Sequence, residues 1–390
     1  MTRLNGMTTL ETPAVAQARW LAVLAVAVGT FTIVTSEMLP VGLLTSIAST
    51  LGVSDGMAGL MMSLPGLVAA VSAPVLAIAT RRLDRRVPLL GLMALLAVAN
   101  LAAASAPNFA VMLGARVLTG VSIGGFWAFA AGLGLRLVPE RSVGRATSVI
   151  LGGVSVASVL GVPAGTLIAS AAGWRTSFVV MGVLAVVLLG LLAVVLPPMP
   201  GEQAAGGSRT PLAGALRVVL AATVLIITGH FAAYTYVRPF LEQVADAGPA
   251  LVSTALLVYG AAGVVGNFVA GARAARNPKP VLIVLALLIA VSTAAGALVG
   301  LPLVMLVVWG LGYGGVGVAL QLWIMRSGGG ELGTALFVGA FNVSIALGSF
   351  VGGRVVDGVS ISSVMWLGAG LALLTAAFAG IWGRSTTTGS

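Results

Sequence analysis

The sequence contains no cysteine, one histidine (His230) and one lysine (Lys279) in 390 residues. Disulfides and cysteine-based metal sites are therefore excluded. Charged residues make up only 8% of the chain, where soluble domains average about a quarter. No Walker A lysine, no H-E-x-x-H pair and no serine–histidine–aspartate set in a soluble segment occurs, so an ATP-driven pump or a membrane enzyme has nothing to work with. The string GLGYGG at 310–315 fits G-x-G-x-x-G literally. The nucleotide-binding turn needs a preceding strand, whereas this string lies inside an apolar helical stretch. Neither a cofactor nor a metal is expected.

What the chain does have is apolar length. It is 59% hydrophobic, with a mean hydropathy of +1.11, and apolar runs of about 20 residues recur throughout, the signature of a polytopic helical membrane protein. With charges, proline and glycine as punctuation, twelve spans are predicted at 20–47, 54–79, 88–106, 109–135, 143–170, 175–196, 214–240, 250–272, 281–299, 303–325, 333–353 and 363–383. The long polar stretch PPMPGEQAAGGSRTP (197–211) divides six spans from six. The expected organisation is a lead (1–19), a first half (20–196), a linker (197–213), a second half (214–383) and a tail (384–390).

The net charge of +10 reflects arginines in short loops, which argues against nucleic acid. With the N-terminus in the cytoplasm, sixteen of the basic residues fall inside, three outside (Arg175, Arg238, Arg354) and Arg116 within a span. That bias places both termini in the cytoplasm. The halves also repeat. GGVSVASVLG (152–161) matches GAFNVSIALG (339–348), Ser36 and Pro40 match Thr235 and Pro239, and Pro88 matches Pro280, at offsets of 187, 199 and 192. Two related halves of six spans are an architecture of secondary transporters, with the substrate site near the midplane between them.

Few ionisable groups remain inside the spans: Glu37, in TIVTSEMLPVGLL (32–44), Arg116 and His230. By the helical rise Glu37 lies roughly 15 Å, and Arg116 roughly 10 Å, from the outer end of its span, so the opposite charges can meet directly or through water. A static ion pair is one reading. A proton site is the other, because a desolvated carboxylate and a nearby guanidinium shift each other's proton affinity in opposition. Pro40 cannot donate to the carbonyl of Ser36, which must face protein or a water-filled cavity. Arg116, Gly120, Gly124 and Trp127 share one face of span 4, either as a groove or as close helix packing. His230, Tyr234 and Arg238 form a stripe on span 7, and Tyr259, Asn267, Trp309, Tyr313, Gln321 and Asn342 are weaker candidates.

At this point the residues resemble a family. ATRRLDRRVPLL (79–90) is similar to the cytoplasmic loop signature of the major facilitator superfamily, RVLTGVSIGGFWA (116–128) to its span-4 signature, and LGVPAGTLIASAAGWRTSF (160–178) to its span-5 signature associated with exporters. EMLPVGLLTSIA, GFWAFAAGLGLRLVP, GHFAAYTYVRPFL and FNVSIALGSFVGG resemble the twelve-span drug:proton antiporters, closest to the sugar-efflux and purine-ribonucleoside-efflux branch. The resemblance implies that Arg116 is the arginine of proton coupling. It further implies that Gly161, Pro163 and Gly165 form a bend in span 5, and that Arg85 and Arg86 belong to a cytoplasmic gate loop. Arg81 and Asp84 depart from the loop signature, which has an acidic residue and a glycine there, so the inter-half contact either uses Asp84 instead or is weaker.

The expected fold is all-α and integral to the membrane, with twelve transmembrane helices in two pseudo-symmetric halves. The expected function is a proton-coupled secondary transporter that exports a small organic solute (drug, nucleoside or sugar-like metabolite) by alternating access. Glu37 and Arg116 would couple the proton, and Trp127, His230, Tyr234 and Asn342 would line the substrate cavity. A proton-coupled importer on the same fold and a transport-inactive membrane sensor stand as alternatives. The expected partners are the solute, protons and the lipid bilayer, without nucleic acid, in a monomer of the bacterial plasma membrane.

Overall fold

The structure is a computed structural model that describes residues 19–200, 214–299, 302–327 and 330–382. Lead residues 1–18, linker residues 201–213 and the tail lie outside the described residues. Among the described residues, twelve helices are long and apolar enough to cross a membrane. They are span 1 (Trp20–Leu51), span 2 (Asp55–Ala79), span 3 (Arg86–Ala104), span 4 (Phe109–Leu137), span 5 (Val143–Ala172) and span 6 (Trp174–Val195). The second six are span 7 (Gly214–Tyr234), span 8 (Pro249–Ala274), span 9 (Pro278–Val299), span 10 (Pro302–Arg326), span 11 (Gly330–Gly358) and span 12 (Ser363–Trp382). An even number of crossings puts Arg19 and Trp382 at one end of the bundle, here called the terminal end; the other is the far end.

Turns at the far end are tight and locally encoded. Gly52 closes span 1 at φ +67° in the left-handed region that glycine tolerates. Ser54 then caps span 2 by accepting from the Met57 N–H (3.0 Å), and Asn108 caps span 4 by accepting from Val111 (3.0 Å). Span 5 carries a wide π turn over Ala157–Gly161, where Pro163 has no N–H for the Val159 carbonyl.

Lipid supplies no hydrophobic force between helices, so packing depends on close backbone approach at small residues. A side chain at Gly153, Gly161 or Gly165 of span 5 would collide with Thr30, Thr35 or Leu39 of span 1. Gly310 and Gly314 of span 10 lie against Tyr259 and Gly263 of span 8 in the same way.

The halves are joined at the far end. Asp357 of span 11 accepts from Ser54 Oγ (2.7 Å) and from the Gly56 N–H (3.0 Å). Thr166 of span 5 shares a hydrogen bond with Ser253 of span 8 (2.9 Å). The Arg238 guanidinium donates to the Gly42 carbonyl, and Gln243 donates to Asp55 (3.0 Å). Tyr236 donates to Ser349 O (2.7 Å) with its oxygen 3.4 Å from Gly56 O. A cavity of about 180 Å³ lies beside this seam, lined by Ser46, Thr166, Arg238 and Val252.

Span 7 departs from the sequence expectation. It is predicted as one helix over 214–240, but it stops at Tyr234 and a short helix, Val237–Val244, follows. His230, Tyr234 and Arg238 therefore do not form one continuous stripe. Arg238 belongs to the far-end seam, where it also pairs with Glu242 (2.7 Å).

Candidate functional site

Span 1 runs unbroken through Pro40 and buries nearly every side chain in its middle. Glu37 is 7% exposed and Arg116 1% exposed. The guanidinium reaches span 1, but not the carboxylate. Its Nη1 donates to Ser36 O (2.8 Å), its Nη2 to Glu37 O (2.8 Å) and its Nε to Met61 O of span 2 (2.9 Å). The direct ion pair allowed by the sequence is absent, and the physical reason lies in the helices. Ser36 and Met61 each stand four residues before a proline, Pro40 and Pro65, so their carbonyls lack the usual helical donor. A buried carbonyl without a donor is costly, and the fork of arginine N–H groups meets that need. Asn100 Nδ2 donates to Ser36 Oγ (3.1 Å) and locks the same turn.

The Glu37 carboxylate is consequently left without a hydrogen-bond partner among the described residues. It stays close to Arg116, whose Nη2 holds the carbonyl of the same residue.

In the second half, spans 7, 8 and 10 build an aromatic cluster around His230. Trp309 Nε1 donates to His230 Nδ1 (3.1 Å), and Tyr259 Oη lies 3.4 Å from Nε2. An indole N–H only donates, so Nδ1 must accept and the ring proton resides on Nε2. The imidazole stacks on Tyr313 with centroids 3.4 Å apart and planes 4° apart, and on Tyr234 at 5.0 Å and 20°. Tyr234 stacks in turn on Tyr259 (4.8 Å, 26°). His230, Tyr234, Tyr259 and Trp309 are buried, while Tyr313 is half-buried. Tyr259, Trp309 and Tyr313, the weaker candidates of the sequence, thus meet His230 and Tyr234 in one place. The signal was compositional: three of the four tyrosines in the chain surround its one histidine.

The other expected cavity residues lie elsewhere. Trp127 is half-buried, edge-on to Phe126 (6.1 Å, 81°), and packs on the terminal-end core of the first half. The supposed groove at Gly120 and Gly124 is filled by Pro65, Val68 and Ala69 of span 2, which makes that face close helix packing. Asn342 Nδ2 donates back to Val338 O (2.9 Å), and its backbone crosses span 2 at Gly66. Gly161 and Gly165 touch span 1 at Thr35 and Leu39, and Pro163 follows the π turn.

At the gate loop the first of the two alternatives is not met. Asp84 does not reach the second half. Its carboxylate accepts from the N–H groups of Arg86 (2.8 Å) and Met199 (2.9 Å), while Arg85 N–H donates to Met199 O (2.9 Å). The Arg86 guanidinium holds Ala193 O, and Arg85 lies over the Phe129 ring at 5.1 Å. The loop thereby clamps the chain as it leaves span 6. The N–H donors of Arg86 and then Met199 hold the Asp84 carboxyl below the usual carboxylate range. A depressed carboxyl contributes stability that is present above its unfolded value and lost as pH falls through the folded one. Hydrogen exchange at the Met199 and Arg86 amides should therefore stay slow through the ordinary aspartate range and accelerate only in stronger acid. In Asp84→Asn it should be fast at every pH, and equal protection in the two proteins would remove Asp84 from the clamp.

Comparison with known proteins supplies independent findings. A family model described as Major Facilitator Superfamily matches residues 26–338. The chain is 36% identical over 375 residues to "Transcription regulatory protein OpdE" of Pseudomonas aeruginosa strain PAO1, covering 92% of each chain. Among solved structures it resembles a bacterial homolog to the human lysosomal transporter Spinster in an inward-facing, unoccupied conformation, with a TM-score of 0.71, 16% identity and coverage of 93% and 95% of the two chains. It also resembles a mutant of the nucleoside transporter NupG, with a TM-score of 0.76, 14% identity and coverage of 93% and 100%.

Proposed function

Because the chain belongs to the major facilitator superfamily, whose members here share its transporter fold, we propose that it exports a small planar solute across the bacterial inner membrane in exchange for protons. The observation that carries this reading is Glu37, a carboxylate buried in the middle of span 1 without a hydrogen-bond partner among the described residues. An intramembrane acid without a fixed partner is suited to a proton pathway. With both termini in the cytoplasm, the closed far end is the outer one. The solute then enters from the cytoplasm and stacks on Tyr313 while Glu37 gives up its proton. When the outer seam opens, a proton from outside returns to Glu37 and the solute leaves.

The same geometry favours a neutral or cationic solute. Arg116 is engaged by three carbonyls and His230 Nδ1 by Trp309, which leaves an organic anion without a cationic partner at that depth. Inverted membrane vesicles acidified inside and given inosine, a hexose or ethidium in the outer medium as probes test the reading. Accumulation of a probe accompanied by lumenal alkalinisation is the expected result, and uptake confined to right-side-out vesicles would make the protein an importer.

The name of the Pseudomonas relative favours a second reading, a membrane sensor that regulates transcription. A sensor would move no probe in either orientation and would tolerate neutralisation of Glu37.

A further inference from the structure

We infer that Arg116 is a positioning residue: it supplies the hydrogen-bond donors that Pro40 and Pro65 withhold, and so fastens spans 1 and 2 to span 4 and fixes the backbone that carries Glu37. In a helix the carbonyl of residue i is met by the N–H of residue i+4. Pro40 denies this to Ser36 and Pro65 denies it to Met61, and within a bilayer water does not make up the loss. Both carbonyls fall under one guanidinium, at 2.8 Å from Nη1 and 2.9 Å from Nε, while Nη2 holds Glu37 O at 2.8 Å. One planar fork thus closes two proline gaps on two different spans. A lysine would bring the same charge to the site as a point, without the fork.

The second half provides a comparison within the same molecule. Spans 4 and 10 begin at Phe109 and Pro302, an offset of 193 that places Trp309 opposite Arg116. Trp309 donates to His230 rather than to a backbone carbonyl. Span 7, whose Pro239 stands where span 1 has Pro40, is broken at Thr235–Tyr236, whereas span 1 continues to Leu51. The need for arginine at 116 is therefore set by the prolines, independently of the solute and of the direction of transport.

The test needs no solute. In purified protein the Glu37 carboxyl band, identified by its loss in Glu37→Gln, is followed by infrared difference spectroscopy against pH, and thermal melting is recorded alongside. Arg116→Lys keeps the charge and should lower the melting temperature by about 5–10 °C, the scale of two unmet buried carbonyls, with a displaced ionisation midpoint for Glu37. Adding Pro40→Ala and Pro65→Ala, which restore both helical N–H donors, should recover at least half of the melting loss and return the midpoint to that of the unchanged protein. An Arg116→Lys protein indistinguishable from the original would overturn the inference, since charge alone would then suffice. Equal impairment with both alanines in place would overturn it too. If the double proline variant does not give a monodisperse protein, each single proline variant is combined with Arg116→Lys, and an assembled single variant without partial recovery counts against the inference in the same way.

Discussion

Glu37→Gln is expected to abolish accumulation driven by a pH gradient while leaving exchange of labelled for unlabelled solute intact. Glutamine has the shape of the protonated acid and cannot give up a proton, so the halves can still rock around the solute. For each proton exchanged, a gradient of two pH units sustains up to about a hundredfold accumulation, at tenfold per 1.4 kcal/mol. That ratio should fall to about one in the variant. The Glu37 carboxylate has no hydrogen-bond partner among the described residues, so its replacement breaks no bond within the bundle. Membrane abundance should therefore be preserved. Retention of full gradient-driven accumulation would take the proton off Glu37 and leave the aromatic cluster as the whole of the site.

The second large effect is expected at the far-end seam. Gly56 lies against Gly353 O and the Asp357 carboxylate, with no room for a side chain. Gly56→Val places three carbons there, and overpacking of this kind costs about 1–3 kcal/mol. By the same tenfold per 1.4 kcal/mol, the equilibrium should shift roughly ten- to a hundredfold toward the conformation open at the far end. The absence of cysteine provides a clean background for a reporter. Val252, 1% exposed and lining the cavity beside the seam, is replaced by cysteine. With the far end outward, as proposed above, a membrane-impermeant maleimide added to intact cells should modify it about tenfold faster or more when Gly56→Val is also present. Unchanged labelling would mean that the Gly56–Asp357 contact does not hold this end shut.

Much of the fold was legible because a bilayer leaves few options. Apolar length identified the spans, and the repeat at Ser36/Pro40 and Thr235/Pro239 exposed the two halves. Glu37 and Arg116 stood out because charge is rare at that depth. Their relation did not, because it depends on Pro65 in span 2, a residue unremarkable until the fold places Met61 O beside the guanidinium. The same local pattern, a hydroxyl residue four before a proline, leaves span 1 whole and span 7 broken. No reading of either segment alone could separate them, since the difference resides in a neighbour more than seventy residues away in the chain. Tyr259, Trp309 and Tyr313 were hard to rank for a similar reason: each is one of two or three aromatics in an apolar helix, and only packing assembles these three around His230.

The repeat that relates Ser36 to Thr235 also sets Glu37 against Tyr236. Tyr236 is fully buried, and its hydroxyl occupies a nest in which Gly56, Gly59 and Gly353 leave no space for a methyl group. At twin addresses, one half of the molecule therefore presents an ionisable handle and the other a stopper. That stopper ties the elbow of span 7 to the seam between the halves, so one side chain serves both the break in the helix and the closure of this end.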